Sequence, residues 1–348
     1  MFLDKKITYD KLSALWADPQ VPSLETKNQK IAILSDLHFG NGGEADDFFN
    51  NRNALVQALE HYGSQGYKLI LLGDIEEFWQ FTLEDIVRRY EQLIYEKFRK
   101  FGEQRILRVF GNHDGEWAGL SDPTKGGSAK GVLASEAVKL KDAAGQARLL
   151  LVHGHQGTID SDKFSWFSRF FVRLFRGIEP LARLTGLYSN PAATKSMIAK
   201  DFERTLYEWA RQNKVILVCG HTHRAIFASK SYAEKLHQDI AGLRAENSLS
   251  RTPKEKRREN LQKIDELERK LEDEKEKGRV IEPTDPAGDP LPCYFNTGCG
   301  VYSDGMTAIE IEDDEMRLVK WDRNTFKPSN FEVYNRGSLS EIVKKVIA

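Results

Sequence analysis

The chain has 348 residues, 51 Lys+Arg against 52 Asp+Glu, and a formal net charge of −1. At 40% its hydrophobic residues suffice for a large core, which excludes wholesale disorder and allows one large α/β domain or two medium ones. Its near-neutral balance excludes a bulk nucleic-acid binder. No apolar run approaches the ~18 residues of a membrane span. The start, Met1 to Lys6, lacks the apolar stretch of a secretory signal. Cys219, Cys293 and Cys299 are too few and too scattered for a disulfide framework. The chain reads as soluble and cytoplasmic.

Residues 1–29 form a polar lead-in with a short helix near Tyr9–Trp16. Apolar runs predict buried strands at Lys30–Ser35, Lys68–Leu72, Arg105–Phe110, Arg148–Val152 and Val215–Val218. Helices are expected at about Ala45–His61, Leu83–Lys100 and Asp201–Gln212. This alternation predicts a layered α/β domain over 30–230 and 289–348. Short strands at Tyr294–Asn296, Met306–Ile311 and Met316–Trp321 and a helix at Ser338–Ala348 complete it. Two segments interrupt the pattern: an aromatic- and arginine-rich stretch, 161–187, and a charged stretch, 231–288.

Each strand of the alternating part ends in a polar cluster, where open α/β sheets place their ligand sites. The clusters are Asp36-x-His38, Gly73-Asp74, Gly111-Asn112-His113-Asp114, His153-Gly154-His155 and Gly220-His221-x-His223. Singly, each is ordinary turn chemistry, since Asn and Asp favour local backbone hydrogen bonds. Together they hold six of the eight histidines and offer carboxylate, imidazole and amide oxygen without thiolate, a donor set for hard to borderline divalent metals.

This ordered set, spanning Ala32 to Arg224, resembles the calcineurin-like metallophosphoesterase superfamily. The resemblance implies a four-layer α/β/β/α sandwich, two mixed sheets flanked by helices, with two divalent metals at the sheet edge. Position by position, it implies that Asp36, His38 and His223 hold one metal, Asn112, His153 and His221 the other, and that Asp74 bridges them. Mn is the default metal, with Fe or Zn also fitting these ligands. Cations roughly 3.5–4 Å apart can hold a bridging hydroxide and clamp phosphoryl oxygens. His113 matches the histidine that assists the leaving group, and Asp114 is expected to orient it. The register of the strand end selects His153 as ligand. His155 is left as a neighbour of the ligands, a substrate contact or a rim residue.

The superfamily cleaves monoesters, diesters and pyrophosphates, so accessory features bear on the substrate. Gly73–Trp79, His153 through Asp160 and Asp162, and Gly220–Arg224 look like the bacterial UDP-2,3-diacylglucosamine pyrophosphatase branch, in which a helical insertion forms a lipid-accommodating cap. That branch carries Arg where this chain has His113 and lacks the charged insertion. A phosphodiesterase or nuclease and a non-catalytic scaffold of the same fold are the other readings. Within 164–184, Phe167, Phe171, Leu174, Ile178 and Leu181 make one apolar helical face, with Arg169, Arg173, Arg176 and Arg183 opposite. This is either a helix packed on the domain or a cap that shelters an apolar group or touches anionic lipid at the inner membrane face. His155, Asp160, Arg169, Arg173 and Arg224 are the candidate contacts to a phosphorylated or lipid-linked substrate.

Lys254–Lys277 holds 9 acidic and 9 basic residues. Leu261, Ile264, Leu267 and Leu271 form a narrow seam that matches Leu236, Ile240 and Leu243 across the break Ser248–Pro253. The spacing predicts a coiled-coil-like helical hairpin, serving as a structural appendage or for self-association or partner docking. Its charges cancel locally, which argues against nucleic acid.

Overall fold

The computed structural model describes residues 4–102, 104–118, 134–157, 191–277, 279, 290–323 and 331–348. The aromatic–arginine stretch, with Asp160, Arg169 and Arg173, lies outside the described residues. Two mixed sheets form the centre. One has the order β1 (Ser23–Glu25), β5 (Ala137–Lys141), β6 (Ala147–Val152), β7 (Ile216–Cys219), β10 (Tyr294–Thr297), β8 (Ala225–Phe227), β9 (Lys230–Ser231). The other has the order β13 (Phe331–Ser338), β12 (Glu315–Asp322), β11 (Gly305–Glu312), β2 (Lys30–Leu34), β3 (Lys68–Leu72), β4 (Ile106–Val109).

The apolar runs become strands because both faces are covered. Along β2, Ile31 and Ile33 point into the core shared with the other sheet, and Ala32 and Leu34 point into a second core under the helices. In β3 the same alternation sends Ile70 and Leu72 one way and Leu69 and Leu71 the other. Helices α2 (Arg52–Ser64), α3 (Leu83–Tyr90) and α4 (Glu96–Phe101) cover the second core, with a π turn at Glu91–Tyr95 joining the last two. On the outer face of the first sheet, α1 (Lys5–Ala17) and α5 (Pro191–Asn213) contribute Leu12, Leu206 and Trp209. The expected layering of two mixed sheets flanked by helices is therefore the observed one. Among the described residues no helix is long and apolar enough to cross a membrane.

Three differences from the expected elements have local causes. The helix expected from Ala45 starts at Arg52, because Asp46 is committed to a loop. Its carboxylate accepts from Gly42 N at 2.7 Å, Phe49 N at 3.1 Å and Tyr90 Oη at 2.6 Å. Strand β5 was missed because Lys139 and Lys141 interrupt its apolar pattern; Lys139 reaches the Asp18 carbonyl at 2.7 Å. Strand β13 carries a mixed polar sequence and, among the described residues, pairs only with β12. Helices α6 (Tyr232–Ser248) and α7 (Lys254–Glu276) form the hairpin, with Leu236, Ile240, Ile264 and Leu271 buried between them. Leu261, expected in that seam, faces solvent. Helix α8 (Leu339–Ile347) closes the chain.

Candidate metal centre

Strands β2, β3 and β4 run parallel, as do β6 and β7 of the facing sheet. Their C-terminal ends meet, so the turns that follow converge. Backbone bonds continue past the strand ends: Asp36 N donates to Gly73 O at 3.0 Å, His38 N to Asp74 O at 3.0 Å, and Gly220 N to His153 O at 2.9 Å. Asp36, His38, Asp74, His221 and His223 all sit at positive φ, between 50° and 68°. This left-handed backbone turns their side chains back over the strand ends, and each such residue costs roughly 1 kcal/mol or more. Two glycines permit the close approach. A Cβ on Gly111 would meet Asp74 Oδ1 at 2.1 Å, and one on Gly220 would meet Asp36 Oδ2 at 2.3 Å.

Three donor groups result among the described residues, one of them His38, Glu77 and His113, which shares His38 with the first of the other two. Asp36, His38 and His223 form the first, and Asp74, His153 and His221 the second, the ligand atoms of each lying within 4.8 Å of one another. In the first, Asp36 Oδ1 is 3.2 Å from His223 Nε2 and 3.9 Å from His38 Nε2, and the two Nε2 atoms are 3.1 Å apart. In the second, His153 Nε2 lies 3.0 Å from Asp74 Oδ2. The groups adjoin, since Asp36 Oδ1 is also 3.9 Å from His153 Nε2. Asn112 Oδ1 is buried and accepts no hydrogen bond among the described residues, an amide oxygen that could meet a cation. These residues fit divalent metal on their donor chemistry. They border a cavity of about 310 Å³, onto which His38, Asp74, Glu77, His113, His221 and His223 open.

The surroundings select which ring nitrogen faces inward. His153 Nδ1 donates to the Leu72 carbonyl at 3.0 Å, and His38 Nδ1 to Glu77 Oε2 at 3.0 Å, leaving both Nε2 atoms for a cation. Ser35 Oγ donates to Asp36 Oδ2, while His221 N donates to the same carboxylate at 2.9 Å. Charge follows this packing. Burial alone would raise Asp74, but the His153 and His113 imidazoles hold it well below the usual carboxylate range. Burial opposes protonation of His153, yet the Asp74 and Asp36 carboxylates push it up to about 9. Burial and the His153 charge push His221 down to about 3, so it is neutral.

Two sequence assignments need correction. Asp114 does not orient His113. Its carboxylate accepts from Ile75 N at 2.9 Å and Gly111 N at 2.6 Å, pinning the two turns together. Burial beside Asp74 and Glu76 raises it to about 7. The partner of His113 is Glu77, whose Oε1 accepts from Nδ1 at 2.9 Å. Trp79 adds a stacked ring 4.0 Å from His113 and donates Nε1–H to the Asn112 carbonyl at 2.9 Å. Arg224 is likewise committed within the chain. It pairs with Glu203 of α5, whose other oxygen accepts from Thr222 at 2.7 Å, so it is not free for substrate. His155 is buried, with its ring centroid 5.5 Å from that of His153 and 6.4 Å from that of Phe110, a place behind the ligands rather than at the cavity rim. Sequence reasoning missed Glu77. The signal was available, because a ligating histidine needs an acceptor at its other nitrogen and Glu77 lies three residues after Asp74.

Comparison with curated proteins and with solved structures gave no match. The family model for calcineurin-like phosphoesterases matches residues 29–225, which contain every donor named above. Carboxylate and imidazole donors, gathered on turns at the ends of parallel strands, are thus those of a metal-dependent phosphoric ester hydrolase, and the chain belongs to the calcineurin-like phosphoesterase family.

Proposed function

We propose that the chain hydrolyses its phosphoester with two divalent cations. Asp36, His38 and His223 would hold one, Asn112, His153 and His221 the other, with Asp74 between them. The observation that carries this reading is the adjacency of the two donor groups across Asp36 Oδ1, 3.2 Å from His223 Nε2 and 3.9 Å from His153 Nε2. When bound, such cations supply Lewis acidity toward phosphoryl oxygens and a nucleophile at neutral pH. Oxygen and imidazole donors favour Mn, with Fe and Zn as alternatives.

The chain's own contribution is a held acid. Glu77 fixes the His113 tautomer by accepting Nδ1–H, and Trp79 stacks on the ring, so Nε2 is the nitrogen left to serve the leaving oxygen. Burial lowers the His113 pKa, but the Asp74 carboxylate and the Glu77 bond together raise it above the ordinary value, which favours the proton-donating form.

Hydrolysis of p-nitrophenyl phosphate, bis-p-nitrophenyl phosphate and UDP-2,3-diacylglucosamine with Mn2+ tests the proposal and separates monoester, diester and pyrophosphate chemistry. Turnover of at least one substrate is expected, falling on the order of 100-fold or more in Asp74→Asn. Wild-type protein inert with Mn2+, Fe2+ and Zn2+ on all three would overturn the catalytic reading and favour a scaffold.

A further inference from the structure

Among the described residues, two sets of side-chain contacts tie the hairpin to the body. Along its side, Tyr232 stacks on Tyr334 of β13 with centroids 3.7 Å apart, and Lys270 Nζ donates to Glu332 at 2.8 Å. At its C-terminal end a different set of bonds leads toward the metal centre. Arg279 donates through Nε and Nη2 to buried Glu274 of α7 at 2.9 and 2.5 Å. Its Nη1 donates to Asp304 Oδ1 at 3.0 Å, while Lys277 reaches Asp304 Oδ2 at 2.6 Å. The same guanidinium lies over the Tyr302 ring, 5.0 Å from its centroid. Tyr302 Oη then donates to the His223 carbonyl at 2.6 Å.

The loop 298–304 is therefore held between the hairpin and the first donor group. Gly300 N donates to the Asp36 carbonyl at 2.9 Å, and Asn51 Nδ2 donates to the Gly300 and Tyr302 carbonyls at 2.8 and 2.6 Å. The bonds from Gly300 and Tyr302 go to residues in left-handed backbone, Asp36 and His223. Such residues keep their geometry only where surrounding contacts impose it. An exposed ion pair would do little. Arg279, with a side chain only 15% exposed, bonded through a planar fork to two carboxylates and seated on an aromatic face, has one geometry.

We propose that the hairpin is a positioning device for the metal donor His223, acting through Arg279, Asp304 and Tyr302. The inference rests on the two-cation reading above. Titration of metal-free protein with Mn2+, followed by calorimetry, tests both. Wild type is expected to take two equivalents, and His223→Ala identifies the equivalent that belongs to the first group. Arg279→Ala and Tyr302→Phe should weaken that equivalent by about tenfold and leave the other within twofold, with partial recovery in Arg279→Lys. Lys270→Ala removes the ion pair of the hairpin's side attachment and should change neither. Unchanged binding in both Arg279→Ala and Tyr302→Phe would overturn the inference and leave the hairpin as an appendage or docking element. Equal weakening of both equivalents with a lowered melting temperature would also overturn it, as a general loss of stability. A wild type that takes up no Mn2+ would sink the two-cation reading itself, and this inference with it.

Discussion

Glu77→Gln keeps the volume of the side chain and removes its charge, which isolates what the carboxylate does for two histidines. Burial pushes Glu77 up, but its hydrogen bonds to His113 and His38 bring it down to about 2, from an ordinary 4.5. That drop of roughly 2.5 pH units is worth about 3 kcal/mol at 1.36 kcal/mol each. The bond to Glu77 is part of what raises the His113 pKa, so removing the charge lowers it. The amide of Gln can accept from one Nδ1–H but turns donors toward the other, so it cannot replace the carboxylate at both. Bound cations shift His113 in wild type and variant alike, so the difference between them is the quantity to read. The basic limb of the kcat/KM profile, measured at saturating Mn2+, should therefore move down in Glu77→Gln. A lowered rate with the basic limb unmoved would show that His113 is not the proton donor or that Glu77 does not tune it.

The same depressed pKa makes a prediction for metal-free protein. Glu77 contributes stability that is fully present above pH 4.5 and lost as pH falls toward 2, so Glu77→Gln should flatten that part of the acid-unfolding curve followed by circular dichroism. At position 38, where φ is 50°, metal-free His38→Gly should be more stable than His38→Ala by about 1 kcal/mol in urea unfolding, although both lose a donor. Arg108 donates to Glu76 at 2.6 and 3.1 Å in an environment that excludes water, with Tyr95 and Trp117 bonded to the same carboxylate. Arg108→Ala leaves that charge uncompensated and should cost about 3–5 kcal/mol in urea unfolding. Adding metal at 100 times its Kd to chelated wild type should raise stability by about 2.7 kcal/mol for each cation bound, seen as a later thermal transition.

The donors were legible because parallel strands buried on both faces read as continuous apolar runs, and the clusters begin where Lys30–Leu34, Lys68–Leu72 and Ile216–Cys219 stop. What the sequence could not show was which neighbour each polar group finds across the fold. Arg224 looked available for phosphate because Glu203 lies 21 residues earlier, on a helix whose face against the turn no local pattern reveals. Asp114 sits next to His113 in the chain, yet backbone amides from two different turns claim its carboxylate before a side chain can. Glu77 reads as one acid among several in Gly73–Trp79 until the turn places it between two imidazoles. The hairpin's heptad-like seam was legible, but its grip on Tyr302 depends on Arg279, beyond the end of the helix.

Backbone strain at five donors explains why these long-range partners exist. A turn that must carry Asp36 and His38 at positive φ relaxes unless its peptide groups are held. The structure holds them from three directions. Extended parallel ladders bond Asp36 and His38 to Gly73 and Asp74. Asn296 Nδ2 bonds the Gly220 carbonyl at 2.6 Å from the adjoining strand. The loop at Tyr302 bonds the His223 carbonyl from outside the sheets. The first two come with the sheets themselves and fix Asp36, His38 and His221. His223 lies four residues past its strand, its side chain is 38% exposed against 11% for His38, and it receives its constraint from residues that the fold adds late in the chain. A donor so placed is the one whose affinity for a cation can be changed without disturbing the core, and that is why the contacts at Tyr302 and Arg279, rather than those under the sheets, are the place to look for control over one metal and not the other.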